Sequence, residues 1–251
     1  MDFINKPNLP QKSVGLAVVD GRISQETEQS FSELGVSIIK ARPYPNLQRA
    51  ISCHPDVFLN HTGGNVMVYA PRTDPGLLRT LSRHGFVLVR GETELSAAYP
   101  GDIAYNVAIA GAFYFHNLKH TDPILRRELE KQGFEPVNIA QGYSKCSISV
   151  VDENSIITAD KGIAKAAEKK GFQVLLLEAE QNISLPGLDQ GFIGGSSGML
   201  GKDAWAVAGS AEKLASYHVI AAFLEKKKIR ILSLSGAQVL DVGSILPLKT
   251  Y

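Results

Sequence analysis

The stretch GFIGGSSGMLG at 191–201, followed by Lys202, has the composition of a loop that cradles a phosphate. Such a loop requires Gly-x-x-x-x-Gly-Lys and then Ser or Thr, between a strand and a helix. Here Ser196 stands at the first glycine position, and Asp203 replaces the metal-binding hydroxyl with a carboxylate that repels phosphate. Ala204 to Ala208 then reads as a strand. A nucleotide site is therefore excluded here. Two readings of the glycines remain. Either Gly194, Gly195 and Gly198 permit close approach to a ligand, with Ser196 and Ser197 offering hydroxyls, or they mark a bulged strand that holds none.

Thiols and imidazoles are the other reactive groups. Cys146 follows Lys145, a cation able to favour the thiolate, while Ile148 and Val150 continue the same strand face and favour a core position. Cys53 and His54 are neighbours, but adjacent side chains of an extended segment point apart. His61 lies between Asn60 and the pair Gly63-Gly64, as a base or as a hydrogen-bonding partner of a nearby loop. His116 and His120 are spaced too loosely to suggest a metal, and no metal or cofactor is expected.

Composition narrows the class. The chain has 251 residues, 44% of them hydrophobic, enough to bury one sizeable core, and is read as a single domain over 1–251. Twenty-six Lys and Arg balance 25 Asp and Glu. No basic stripe points to nucleic acid. No apolar run approaches the ~18 residues that cross a bilayer, the start lacks a signal-peptide pattern, and two cysteines make no disulfide framework. A cytoplasmic protein without membrane association is expected.

The elements that must position these groups come from internal repetition. TDPGLLRTLSRHGF at 73–86 and TDPILRRELEKQGF at 121–134 match at eight positions, and ADKGIAKAAEKKGF at 159–172 and ISQETEQSFSELGV at 23–36 repeat the pattern. In each, a capping residue (Ser24, Asp74, Asp122, Asp160) precedes a glycine (Gly35, Gly85, Gly133, Gly171) by eleven positions. The cap accepts bonds from free first-turn amides, Pro75 and Pro123 take the first helical position, and the glycine ends the helix in the left-handed region. A strand hairpin precedes each cap, clearest at 146–158, and a strand follows each glycine. A longer fifth unit runs from Gly191 through a helix capped by Ser210 and reaching Lys228. The tail at 238–248 is one more strand, left over to close a ring.

Five ββαβ units of this kind predict an α/β fold, a five-bladed α/β-propeller around a central channel. Inner strands then carry Asn65, Asn106 and Asp241, either as ligand contacts or as bonds between blades. With this repeat and the segment NHTGGNVMVYAP at 60–71, the chain resembles the pentein superfamily of guanidino-group-modifying enzymes, which includes arginine and agmatine deiminases, dimethylarginine hydrolases and amidinotransferases.

The resemblance implies a cysteine nucleophile near the C-terminal end, a histidine acting as acid and base, and carboxylates gripping a guanidinium. In this chain the closing segment offers Asp241, Gly243 and Ser244 instead of a cysteine, and Thr62 stands at the acidic position of the Gly-Gly segment. The expected function is binding of a small polar metabolite, guanidino or amino, in the channel. Its contacts would be Asn60, Asn65, Asn106, Lys145, Ser196, Ser197 and Asp241. Any turnover would be hydrolase-like, with His61 as base and Cys146 as nucleophile. The alternative is a non-catalytic propeller that binds a macromolecular partner. Oligomeric state is left open.

Overall fold

A computed structural model describes residues 1–178 and 182–251, and its element order follows the repeat. After an edge strand β1 (Asp2–Phe3), the first unit holds β2 (Val14–Asp20), α1 (Gln25–Glu33) and β3 (Ser37–Ala41). The second opens with a helical turn, α2 (Pro55–Phe58), and continues as β4 (Leu59–Gly63), β5 (Val66–Tyr69), α3 (Pro75–Arg83) and β6 (Val87–Arg90). The third is β7 (Ala108–Ala110), β8 (Phe113–His116), α4 (Pro123–Lys131) and β9 (Glu135–Asn138). The fourth again starts with a turn, α5 (Ser144–Ser147), before β10 (Ser149–Asp152), β11 (Ser155–Thr158), α6 (Lys161–Glu168) and β12 (Gln173–Leu176). The fifth contains β13 (Ser197–Gly201), β14 (Ala204–Val207), α7 (Tyr217–Lys226) and β15 (Arg230–Ser233), and β16 (Leu246–Thr250) ends the chain.

Every unit builds its own small sheet. In units two to five the first two strands form an antiparallel hairpin, and the third lies parallel to the second across the connecting helix. The first unit lacks an inner strand of its own. The C-terminal β16 supplies it, pairing antiparallel with β2 and giving the order β1-β16-β2-β3. The leftover strand thus joins the two ends of the chain, as expected, although it spans 246–250 and the residues before it form a loop. The result is a five-bladed α/β-propeller.

The eleven-residue rule holds for four units. Ser24, Asp74, Asp122 and Asp160 each accept a bond from an amide of the following turn, and Gly35, Gly85, Gly133 and Gly171 all have φ between 75° and 87°. The fifth unit departs from it. Ser210 makes no side-chain cap bond and precedes a 3-10 turn, Ala211–Lys213, and α7 begins only at Tyr217. Lys228 takes the left-handed position with φ 59°.

Apolar residues four apart turn α3, α4, α6 and α7 onto the sheets. Leu77 and Leu81 of α3 and Leu125 and Leu129 of α4 pack with Met67 and Tyr114, while Ile220 and Leu224 of α7 pack on Trp205. Fully burying each such side chain is worth roughly 1.5–3 kcal/mol. Among the described residues, no helix is long and apolar enough to cross a membrane.

Candidate functional site at the propeller axis

The residues immediately ahead of the inner strands converge. Asp56 lies in α2 before β4, Asn106 before β7, Cys146 in α5 before β10, Gly194 before β13 and Ser244 before β16. They form a closed circuit. Asn106 donates through Nδ2 to the Asp56 carbonyl (3.1 Å) and to Cys146 Sγ (3.1 Å), and its Oδ1 accepts from the Lys145 amide (2.8 Å). Cys146 donates from Sγ to Asp56 Oδ2 (3.1 Å), an atom that also faces the Ser244 hydroxyl at 2.7 Å. Lys145 Nζ donates to Ser244 Oγ (3.0 Å), which lies 2.9 Å from the Gly194 carbonyl. All these side chains are buried.

Burial sets their protonation. It pushes the Asp56 carboxyl above the ordinary carboxylate value and the Lys145 ammonium below its own. Burial also pushes the Cys146 thiol well above its ordinary value, and the carboxylates of Asp56 and Asp241 add to the effect. A protonated thiol donating to a carboxylate is the inert form. Beside this circuit is a cavity of about 20 Å³ lined by Asp56, Asn60, His61 and Lys145, room for one water molecule.

A second polar group adjoins the circuit and opens outward. His54 lies at the start of α2, with Nε2 3.8 Å from Asp20 Oδ2 and Nδ1 3.7 Å from Asp241 Oδ1. Both distances exceed a hydrogen bond, and neither ring nitrogen has a partner. Burial holds the imidazole below its ordinary pKa and hence neutral at pH 7. Asp20 ends β2 and grips Arg22 through Nε (3.0 Å) and NH2 (2.6 Å), while Arg22 also donates to the Arg49 and Ala50 carbonyls. Asp241 accepts from the amides of Phe192 (2.8 Å) and Gly243 (3.0 Å), yet burial outweighs these bonds and lifts its pKa to about 6. Asp20 and Asp241 line a pocket of about 580 Å³, together with Arg22, Arg49, Leu185 and Leu240.

The sequence-derived site residues divide between these groups. Lys145, Asn106 and Cys146 meet in the axial circuit, and Asp241 faces the pocket. Cys146, expected on a strand face with Ile148 and Val150, sits on the helical turn α5 among polar partners, and Lys145 sends its charge to Ser244 rather than to the thiol. Asn60 donates to the carbonyls of Tyr105 and Val107, fastening the second unit to the third. His61 bonds the Gly64 carbonyl at 2.8 Å and packs edge-on against Phe86, and burial drives its pKa down to about 4. It makes no hydrogen bond to Cys146.

Asn65 is not on an inner strand. It occupies the exposed tip of the β4–β5 hairpin, because Gly63 and Gly64 turn the chain one residue earlier. Ser196 and Ser197 both donate to the Ile193 carbonyl, and Ser197 also bonds Ser149, which accepts from Trp205 Nε1. The Ser197 hydroxyl thus joins the fourth and fifth units, while that of Ser196 stays within the fifth. The glycines beside them serve close contact between chain segments: a Cβ on Gly194 would stand 2.4 Å from the Ile148 carbonyl oxygen, and one on Gly195 would stand 2.2 Å from Asp241 Oδ1. His116 is buried on β8 between Thr121 and the Gly142 carbonyl.

Sequence reasoning missed His54, Asp20 and Asp56 as one cluster. A signal existed in Asp20, a carboxylate that ends the otherwise apolar run Val14–Val19, and in the polar triplet His54-Pro55-Asp56 just ahead of an inner strand.

Solved structures share this architecture at low sequence identity. The inosamine-phosphate amidinotransferase of Streptomyces griseus superposes with a TM-score of 0.62 at 10% identity, covering 100% of this chain and 97% of that one. A C. jejuni agmatine deiminase with substrate bound gives 0.57 at 10% identity over 99% and 96%. DDAH from Pseudomonas aeruginosa, complexed with citrulline, gives 0.55 at 9% identity over 88% and 93%. These likenesses establish the pentein fold. No curated protein matches the chain in sequence. A family model does match residues 18–246, and with it the chain belongs to the family of unknown function DUF6873; in this member the closing segment carries Ser244 and no cysteine.

Proposed function

We propose that the protein binds a small cationic or zwitterionic metabolite, of amino or guanidino type, in the pocket floored by Asp20 and Asp241. One observation carries this reading: a neutral, buried His54 with both ring nitrogens unpartnered stands between two carboxylates that open onto about 580 Å³. Buried polar groups are ordinarily satisfied, and an exception beside a cavity of ligand size points to what the cavity receives. Asp20 is already held by Arg22, which leaves Asp241 as the carboxylate for the ligand's cation. Each Asp241 oxygen accepts one backbone amide and keeps a second acceptor position. Arg49 at the rim has no ion pair with a described carboxylate and suits an anionic tail. The substrate-bound deiminase and the citrulline complex are built on the same fold, which supports the ligand class.

Thiol catalysis by Cys146 is outside this reading, since the thiol is protonated, bonded to Asp56 and enclosed. Calorimetric titration with agmatine and with arginine tests the proposal. One-to-one binding that Asp241→Asn abolishes is expected; binding that survives Asp241→Asn, or none with either compound, would overturn it.

A further inference from the structure

Two of the repeats differ in charge although their backbones agree. Aligned by caps, Arg79 and Arg83 of α3 correspond to Arg127 and Lys131 of α4. In α4 the acids Glu128 and Glu130 accompany the cations, and ion pairs join Arg126 to Glu130 and both Arg127 and Lys131 to Glu128. At the same two positions α3 carries Thr80 and Ser82, and its nine residues include no acid. Arg79 and Arg83 are exposed, one helical turn apart on one face, and form no ion pair with a described carboxylate. Like charges at this spacing repel, so the bare pair is costly in isolation.

That face forms one wall of a cleft of about 940 Å³, and β3 forms the other. The lining gathers Arg22, Lys40, Arg42, Arg49, Arg79 and Arg83 and contains no Asp or Glu. Asp20 pairs with Arg22, Glu28 with Lys40, and Asp74 lies 3.9 Å from Arg42. Arg49, Arg79 and Arg83 remain uncompensated by described carboxylates in a chain whose total formal charge is only +1. Gly76, where α4 has Ile124, widens the cleft at its floor. The charge balance of the linear sequence hid this concentration, because the cations come from four separate segments.

We infer that this cleft binds a small molecule bearing two or more phosphate groups. Guanidinium forks match phosphate oxygens in pairs, and a multivalent anion is what several unpaired arginines on facing walls accommodate. The volume lies within the range of small-molecule sites. No Phe, Tyr or Trp lines the cleft, and His84 is its one aromatic ring, so the row of stacking rings that tracks single-stranded nucleic acid is missing. The cleft and the pocket over Asp241 share Arg22 and Arg49 at their margin, whereas Arg79 and Arg83 line the cleft alone and Asp241 lines the pocket alone.

Tripolyphosphate is the probe, titrated calorimetrically into the wild type, the double variant Arg79→Glu/Arg83→Glu, and a control of equal charge change on the fourth unit, Lys161→Glu/Lys165→Glu. Binding that weakens with added salt, falls at least about tenfold in the α3 variant and is unchanged in the control is expected. Arg79→Gln/Arg83→Gln, checked for an unaltered thermal melt, separates loss of the site from loss of fold. Equal weakening in both charge reversals, no binding to the wild type, or tighter binding of polyglutamate or single-stranded DNA than of tripolyphosphate would overturn the inference. Asp241→Asn is expected to leave tripolyphosphate binding unchanged, so this inference and the proposed amino or guanidino ligand fail independently.

Discussion

The axial circuit and the pocket floor lie side by side and contain the same kinds of group, yet they are finished differently. Around Asp56, the thiol of Cys146, the hydroxyl of Ser244, the amide of Asn106 and the ammonium of Lys145 all find partners within the protein, and Asp56 Oδ1 alone has none. Around His54, two carboxylates approach and both ring nitrogens stay unpartnered. Presence of catalytic residue types is thus a poor guide to function in this fold. Whether the reactive groups' donors are paired within the protein separates a lock between blades from a place where something else binds.

The largest test of that contrast is Asp56→Ala. It leaves the Cys146 and Ser244 donors facing an apolar side chain and removes the carboxylate whose charge favours the Lys145 ammonium, and a loss of about 3–5 kcal/mol in urea denaturation is expected. A variant of wild-type stability would mean that the circuit fastens nothing.

Asp122 is a second finished node. It caps α4 through Ile124 and Leu125, accepts from the Glu92 and Thr93 amides and lies 3.1 Å from the Tyr105 hydroxyl. Asp122→Ala is expected to cost about 2–4 kcal/mol, because buried donors are stranded as well as a cap lost, against about 1 kcal/mol for Asp160→Ala, a simpler cap. Burial raises the Asp122 pKa, but the bonds from Leu125 and Thr93 outweigh it and the net shift is downward. Its stabilisation is therefore full above about pH 4 and fades as acid protonates the folded form. Equal losses in the two variants would show that the extra bonds contribute nothing.

At the pocket the expected effects are on binding. With the Asp241 pKa near 6, affinity for agmatine should hold above that pH and fall roughly tenfold per unit below it, as measured by calorimetry across pH 4.5–8. The same raised pKa works oppositely on stability: folding gains from this group as pH falls from about 6 toward the ordinary carboxylate value. A flat affinity profile would place the cation elsewhere.

The smallest expected signal is at Cys146. Native alkylation at neutral pH should be no faster than global unfolding, since the thiol is buried, protonated and bonded to Asp56. Rapid labelling blocked by agmatine would turn the axial circuit into an active site and erase the contrast.

Much of the architecture was legible before any coordinates. Helix ends are local chemistry, and a carboxylate that caps a first turn and a glycine that closes the last one need only their own neighbours, so four units could be read from eleven-residue spacing. The fifth escaped because Ser210 resembles a cap while the chain makes a 3-10 turn before α7. The role of β16 followed from simple counting, since a strand without a partner must find one.

The site was legible only in part. Lys145, Asn106, Cys146 and Asp241 were candidates by type, but whether a polar side chain near the axis meets a ligand or another blade depends on atoms from segments up to 188 positions apart, as between Asp56 and Ser244. The backbone turn at Gly63 and Gly64 moved Asn65 outside, and the carbonyls of Ile148 and Lys145 at Gly194 and the carboxylate of Asp241 at Gly195 filled the space those glycines offered to a ligand. Sequence determined the elements and the ring, because their causes lie within a few residues. Tertiary structure decided which buried groups are satisfied and which arginines stand unpaired, because both depend on what distant segments bring into hydrogen-bonding reach.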